Sequence, residues 1–241
     1  MQDIINQFKA DSKTQLPDVS HYAHDGNEPL GSNPGGVYTD PHTHQKHYIK
    51  MYANPDQARS EVAAAKIYEK LGAKTTKPQL AMHNNQLAVI TKWQGDLTPV
   101  AREDYSSLSE PQKHDLSNHF HAAVLTKNWD TVGLHFDNLC KDATGRLCTV
   151  DTGGSFNFRA QGGHKDYGHD IGEHKSLRDP TLNPQASHAF SKLGLPHMRS
   201  GRDNVGKLTD SDIHNAVKAA GLPQEHGEAL IGRRDALLNQ A

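Results

Sequence analysis

Asn128-Trp129-Asp130-Thr131-Val132-Gly133-Leu134-His135-Phe136-Asp137-Asn138, followed by Val150-Asp151-Thr152-Gly153-Gly154, is the stretch on which the reading of this chain turns. The first run follows a long helical pattern and precedes a hairpin pattern. The second places an acid directly after an apolar strand and before a Gly pair. Phosphoryl transfer asks a protein for a carboxylate that orients an attacking hydroxyl, and for hard oxygen donors to a divalent cation. Asp130 can supply the first, and Asn138 and Asp151 the second. Taken singly, each is also an ordinary polar turn in which Asp and Asn satisfy their own backbone.

Upstream, the same chemistry finds its other half. His47-Tyr48-Ile49-Lys50-Met51-Tyr52 reads as a strand. A Lys inside such a run is unusual unless paired, although the solvent face of an edge strand would also hold one. Asn54-Pro55-Asp56 then opens a helix with an Asn cap, Pro at the first position and an acid in the first turn. Glu61 lies on that helix's second turn, where a Lys50–Glu61 ion pair would hold the ammonium against nucleotide phosphates. Before the strands stands Gly31-Ser32-Asn33-Pro34-Gly35-Gly36. Glycines there would let backbone N–H groups approach phosphate oxygens. No Lys-Ser/Thr and no helix follow Gly36, so this is neither a P-loop nor a dinucleotide fingerprint. A glycine turn leading into strands, the second bearing a Lys, is the order found in kinases. A Pro-Gly-Gly turn is also common punctuation.

The bulk numbers agree with a modest globular protein. The chain has 241 residues, 34% of them hydrophobic, and a formal charge of -2. That charge gives no reason to expect nucleic acid or an anionic membrane as partner. No run approaches a membrane span, and Met1 to Pro17 lacks a signal-peptide apolar core. A cytoplasmic protein is expected, or one secreted into a host cell without a secretory signal. The 17 His should add charge below about pH 6.5. Cys140 and Cys148 flank a predicted turn at Gly145 and read as two thiols.

Organisation follows from the periodicities. Residues 1–27 form a polar lead-in, with a short helix near Ile4–Phe8. Residues 28–95 form a small β-rich lobe with one helix, including strands at Gln79–Met82 and Gln86–Lys92, and end near Trp93. Residues 96–241 form a mainly helical lobe: a long helix capped by Ser109 and reaching about Leu125, a hairpin at 139–150, a glycine-rich loop at 153–168, and helices at Thr209–Ala220 and Gln224–Asn239. The fold class is therefore α+β.

The combined motifs carry a resemblance. "GSNPGG" through "YIK", "NWDTVGLHFDN" and "VDTGGSFNFRAQG" resemble a bacterial group in the HipA-like and phosphoinositide-kinase-like branch of the protein-kinase-like superfamily, over about residues 28–215. The resemblance implies a two-lobed fold that uses ATP with Mg²⁺ or Mn²⁺. It places Lys50 on the nucleotide phosphates, with Glu61 anchoring Lys50; the glycine turn at Gly31, Ser32, Asn33, Gly35 and Gly36 is read beside it as the nucleotide loop, and Trp93 at the lobe boundary either as packing near adenine or as an ordinary core Trp. Asp130 would be the catalytic acid/base, and Asn138 and Asp151 the metal ligands. The sequence departs from protein kinases in four ways: the Asp130–Asn138 gap is eight, wider than in H-R-D-x-x-x-x-N, and the His-Arg-Asp, Asp-Phe-Gly and Ala-Pro-Glu triplets are missing. The wide gap leaves Asp137 as a second candidate base.

A serine/threonine protein kinase acting as a toxin or effector on a protein substrate, including a host protein, is the expected function. AMP transfer, a lipid or small-molecule kinase, and a non-catalytic pseudokinase are the alternatives. Side readings are a metal at His42, His44 and His47, against a plainly solvated His turn, and a phosphate contact by Arg159 in the glycine-rich loop.

Overall fold

The strand carrying Lys50 lies in the middle of a sheet, not at its edge. The computed structural model describes residues 15–26 and 33–240. The helix expected near Ile4–Phe8, and Gly31 and Ser32 of the glycine turn, lie outside the described residues. In chain order come β1 (Ala23–His24), β2 (Gly35–Thr39), β3 (Lys46–Met51), α1 (Pro55–Lys70), β4 (Lys74–Thr75), β5 (Gln79–His83), β6 (Gln86–Lys92) and β7 (Thr98–Pro99). A 3₁₀ turn at Arg102–Ser106 leads to α2 (Glu110–Thr126), β8 (Leu139–Lys141) and β9 (Leu147–Thr149). Helices α3 (Glu173–Ser176), α4 (Pro184–Phe190), α5 (Leu195–Gly206), α6 (Asp210–Ala219) and α7 (Gln224–Leu238) complete the described chain.

The first sheet is antiparallel in the order β1-β2-β3-β6-β5. Its β5–β6 turn uses Asn84 and Asn85, both with left-handed backbone, as two-residue hairpins require. Helix α1 is capped by Asn54, whose side chain accepts from the Asp56 amide at 2.9 Å, and is followed by Gly72 at φ +80°. It is buried almost all round because it touches β6 on one side and α2 and α6 on the other. One core cluster runs continuously from Val62, Ile67 and Val89 to Phe120, Phe190 and Leu230.

The hairpin β8–β9 was legible in the sequence, but not the sheet it belongs to. It forms the centre of a four-stranded sheet in the order β4-β9-β8-β7, with β4 parallel to β9. Strands β4 and β7 have two residues each, too few for a period to be read. Cys140 and Cys148 face each other across the hairpin as buried free thiols. Helices α3 to α5 also went unassigned. Asn183-Pro184 was a usable start signal for α4, since the Asn183 side chain accepts from the Ala186 amide at 3.0 Å. No helix among the described residues is long and apolar enough to cross a membrane.

Helix α2 buries two imidazoles that bear on the expected acid response. His119 receives the Thr149 hydroxyl at Nδ1 (2.8 Å), and its Nε2 faces the Leu147 carbonyl at 3.3 Å. His121 Nδ1 donates to the Ser117 carbonyl at 2.7 Å. Burial, only partly offset by these neighbours, pushes both down to about 4. Two of the 17 His therefore stay neutral while the protein is folded. Between about pH 6.5 and pH 4 the unfolded chain takes these protons and the native chain does not, so stability falls as pH falls. Each should cost roughly 2–3 kcal/mol by pH 4. The prediction is a smaller loss of urea midpoint between pH 7 and pH 4.5 in the His119→Gln/His121→Gln double variant than in the parent. Parallel losses would rule the buried imidazoles out as its cause.

Candidate active site

Strand β3 delivers Lys50 into the interior, where it is 8% exposed. Its Nζ lies 3.1 Å from Glu61 Oε1, 3.0 Å from Asp151 Oδ2 and 3.1 Å from the Tyr52 hydroxyl. Tyr52 in turn donates to Glu61 Oε2 at 2.6 Å. Burial opposes the charge on Lys50, but the Asp151 and Glu61 carboxylates outweigh it and hold the ammonium well above its ordinary pKa. Burial raises Glu61 despite Lys50. Asp151 is held below the usual range because Lys50 and the Gly153 amide, donating at 2.7 Å, overcome burial. The predicted Lys50–Glu61 pair is thus present, and the edge-strand reading of Lys50 is not.

Helix α1 is tied to the segment after Asp151 from its other residues too. Thr152 Oγ1 donates to the Glu61 carbonyl at 2.8 Å, and Gln57 Nε2 to the Gly153 carbonyl at 3.2 Å. A Cβ on Gly153 would sit 2.1 Å from the Tyr52 hydroxyl, so this close approach needs a glycine.

The loop after α2 brings Asp130 and Asn138 together across the wide gap. Asn138 Nδ2 donates to Asp130 Oδ2 at 2.9 Å and to its carbonyl at 2.7 Å. Asn128 Oδ1 receives the Asp130 amide at 3.0 Å, while Asn128 Nδ2 donates to the Tyr68 hydroxyl on α1 at 3.2 Å. Burial, then the nearby Asp151 charge, pushes Asp130 up to about 6 against the Asn138 hydrogen bond. Asp137 is exposed, with its carboxylate folded over Gly133.

The donor set suits a divalent cation of the Mg²⁺ kind. Asn138 and Val150 pair at the open end of the β8–β9 hairpin, the Val150 amide donating to the Asn138 carbonyl at 3.0 Å, so Asp151 comes next to Asn138. Asn138 spends its amide N–H groups on Asp130, which leaves Oδ1 without a partner among the described residues. Asp151 keeps 35% of its side chain exposed. One carboxylate and one amide oxygen, with phosphates to complete the shell, is what Mg²⁺ accepts. Among the described residues no group of three His, Cys, Asp or Glu is placed to hold a metal. His42 and His44 instead sit exposed on a turn that Asp40 organises, accepting from the His42 amide at 2.9 Å and the Thr43 hydroxyl at 2.6 Å.

Of the remaining predicted nucleotide contacts, Gly31 and Ser32 lie outside the described residues, and Asn33 lies in a bend. Gly35 and Gly36 belong to β2, opposite Lys50 and Ile49. Their smallness also has a packing cause: a Cβ would meet the Ile49 carbonyl at 2.4 Å from Gly35, and His24 Nε2 at 2.4 Å from Gly36. Trp93 follows β6 and is 37% exposed.

Several residues at the site were missed. Lys165 Nζ donates to the carbonyls of Lys127 and Gly154, the latter at 2.7 Å, and burial pushes its ammonium down to about 7. Arg233 on α7 is fully buried. It donates to the Leu125 (3.0 Å), Val124 (2.7 Å) and Gly168 (3.0 Å) carbonyls and pairs with Glu173 on α3. Glu173 also receives Trp129 Nε1 at 3.2 Å. This network ties α7 to the end of α2 and to the segment from Gly168 to Glu173. A signal existed: Arg233 falls three after Leu230 and four before Leu237, on the helix's apolar face. Lys165 gave none, because its partners are distant carbonyls.

Together, the β-sheet with its Lys–Glu pair and the acid-bearing hairpin below it define a protein-kinase-like fold. Among solved structures, the proinflammatory kinase CtkA of Helicobacter pylori matches 93% of this chain over 95% of its own, with a TM-score of 0.52 and 16% identity. A fragment of LepB from Legionella pneumophila matches 85% of this chain over 46% of its own (TM-score 0.43, 11% identity). HipA of a Shewanella oneidensis MR-1 toxin–antitoxin system matches 98% of this chain over 69% of its own (TM-score 0.39, 9% identity). No protein-family model matches the sequence, and neither does any curated protein sequence.

Removing Arg233 alone should leave the buried Glu173 with only the more distant Lys127 ammonium at 3.8 Å and the Trp129 N–H, at a cost of about 3 kcal/mol. Arg233→Met is predicted to lower the urea midpoint by that equivalent, and Arg233→Met/Glu173→Leu to recover part of it. A double variant no better than the single would show that the pair does not act as a unit.

Proposed function

We propose that this protein is an ATP- and Mg²⁺-dependent kinase that transfers the γ-phosphate to a serine or threonine hydroxyl of a protein. The observation that carries this reading is the placement of Lys50 between Glu61 and Asp151, with Asp130 and Asn138 hydrogen-bonded beside Asp151. Lys50 is a buried, permanently charged group that can meet phosphate oxygens. Asn138 and Asp151 would hold the divalent ion, which when bound neutralises charge on the transferring phosphoryl group. Asp130 is read as the base. It is half-buried, lines the cavity described below, and is mostly ionised above its pKa of about 6. In the step itself the acceptor oxygen bonds to the γ-phosphorus and passes its proton to Asp130. The bond from that phosphorus to the bridging oxygen breaks, and ADP leaves with the electron pair.

Asp137 is the weaker candidate, since its carboxylate turns onto Gly133 in solvent. The likeness to a kinase over nearly the whole chain supports phosphotransfer as the reaction class. The role as a toxin or effector on a host protein is part of the proposal and rests on the resemblance to a bacterial group of kinase-like proteins, among which such roles occur.

Purified protein with Mg²⁺ and γ-labelled ATP should label itself or an added protein. Asp130→Ala, Asp151→Ala and Lys50→Met should each lower the signal at least a hundredfold, the scale of a lost acid–base or charge contact. His44→Asn, on the solvated turn, should keep most of it. Label arriving from the α-phosphate would show AMP transfer instead. No labelling and no ATP hydrolysis by the parent protein would refute the kinase reading.

A further inference from the structure

A cavity of about 670 Å³ opens beside Asp130. Asp130 lines it, whereas Lys50, Asn138 and Asp151 do not, so it lies on the side of Asp130 away from the nucleotide groups. Its volume is in the range of ligand sites and would take a few side chains.

Its lining is of two chemical kinds. The apolar kind is Trp129, Leu134 and Leu182, which are 41%, 66% and 54% exposed. These are three of the five large hydrophobic side chains that stand exposed among the described residues, gathered at one place. The basic kind is Arg159, His164 and Lys165. Lys165 is spent on the Lys127 and Gly154 carbonyls, and Lys127, also at the cavity, lies 3.8 Å from Glu173. Arg159 is different. Its backbone is clamped, the amide donating to the Gly163 carbonyl at 2.7 Å and the carbonyl receiving the Gly162 amide at 2.9 Å. Its guanidinium makes no hydrogen bond or ion pair with a described residue. The acids at the cavity are Asp130, reserved for the hydroxyl, and the exposed Asp166. A fixed backbone with an unspent guanidinium is prepared for a carboxylate or phosphate from outside.

We propose that this cavity is the acceptor subsite, and that it selects a protein segment whose hydroxyl residue is flanked by a large apolar side chain and by an acidic or phosphorylated one. The apolar side chain seats on Trp129, Leu134 and Leu182, the anion pairs with Arg159, and the hydroxyl then falls beside Asp130. The assignment rests on the phosphotransfer reading for its function, although binding can be measured without it.

The test uses fluorescent serine peptides with Leu on one side and Glu, phosphoserine, Ala or Lys on the other, plus a Leu→Ala set. Anisotropy without nucleotide reads binding, and γ-labelled Mg-ATP reads transfer. The Glu or phosphoserine peptide should bind and be labelled on the order of fivefold better than the Lys peptide, the scale of one partly exposed ion pair. Which of the two leads identifies the anion. Arg159→Gln should flatten that preference, and Arg159→Glu should turn it toward Lys. Leu134→Ser and Leu182→Ser should erase the advantage of Leu over Ala while keeping the acid preference. Equal binding and labelling of the Glu, phosphoserine and Lys peptides by the parent protein would overturn the proposal and leave phosphotransfer standing. Acid-selective binding with no transfer to any peptide, no self-labelling and no ATP hydrolysis would leave the subsite standing and sink the kinase reading.

Discussion

An ammonium group taken out of water has to be met by charge on every side that water left. Lys50 is met by Glu61 from α1, by Asp151 from beyond β9 and by the Tyr52 hydroxyl from just past the end of β3. The three oxygens come from parts of the chain that share no local structure. Each is held by a further bond, Tyr52 to Glu61 and Gly153 to Asp151. The pair of carboxylates cannot both approach without the cation, and the cation cannot stay without them. That mutual requirement fixes how the first sheet, α1 and the β8–β9 hairpin sit together. It also leaves Asp151 partly exposed to solvent.

The wide gap between Asp130 and Asn138 does not separate them, because the added residues turn back. The Gly133 amide bonds to the Asp130 carbonyl, the Phe136 amide to that of Gly133, and the Asn138 amide to that of Val132. Gly133 and Phe136 both take left-handed backbone conformations to close these turns. Lys127 and Phe156, on either side of the loop, do the same. Non-glycine residues hold such conformations at a cost on the order of 1 kcal/mol, and they persist where the surroundings over-determine them. Here Phe136 packs against Tyr105 and His188, and Phe156 against Tyr167 and His226.

Buried cations recur as the organisers of the helical part. Arg233 gathers the carbonyls at the end of α2, and Lys165 gathers those of Lys127 and Gly154. Helix ends leave their last carbonyls unsatisfied, and a long basic side chain can satisfy several at once. Arg233 with Glu173, sixty positions apart, holds the segment from Gly168 to Glu173 against the end of α2.

The sequence by itself determined the longer elements and the order of the candidate site residues. Strand, capped helix, long helix and hairpin were written in local periods and caps, with Lys50 in the strand, Glu61 on the capped helix, and Asp130, Asn138 and Asp151 in the segments flanking the long helix and the hairpin. Those signals are local because helix caps, turn residues and alternation act over a few neighbours. Only the tertiary structure decided that β3 is central, that Asp151 as well as Glu61 meets Lys50, and that Asp130 rather than Asp137 lines the cavity. The short strands β4 and β7, and the roles of Lys165, Glu173 and Arg233, also came from it alone. Those facts depend on burial and on partners scores of residues away, and no period or spacing records which distant carbonyl a charged side chain will find.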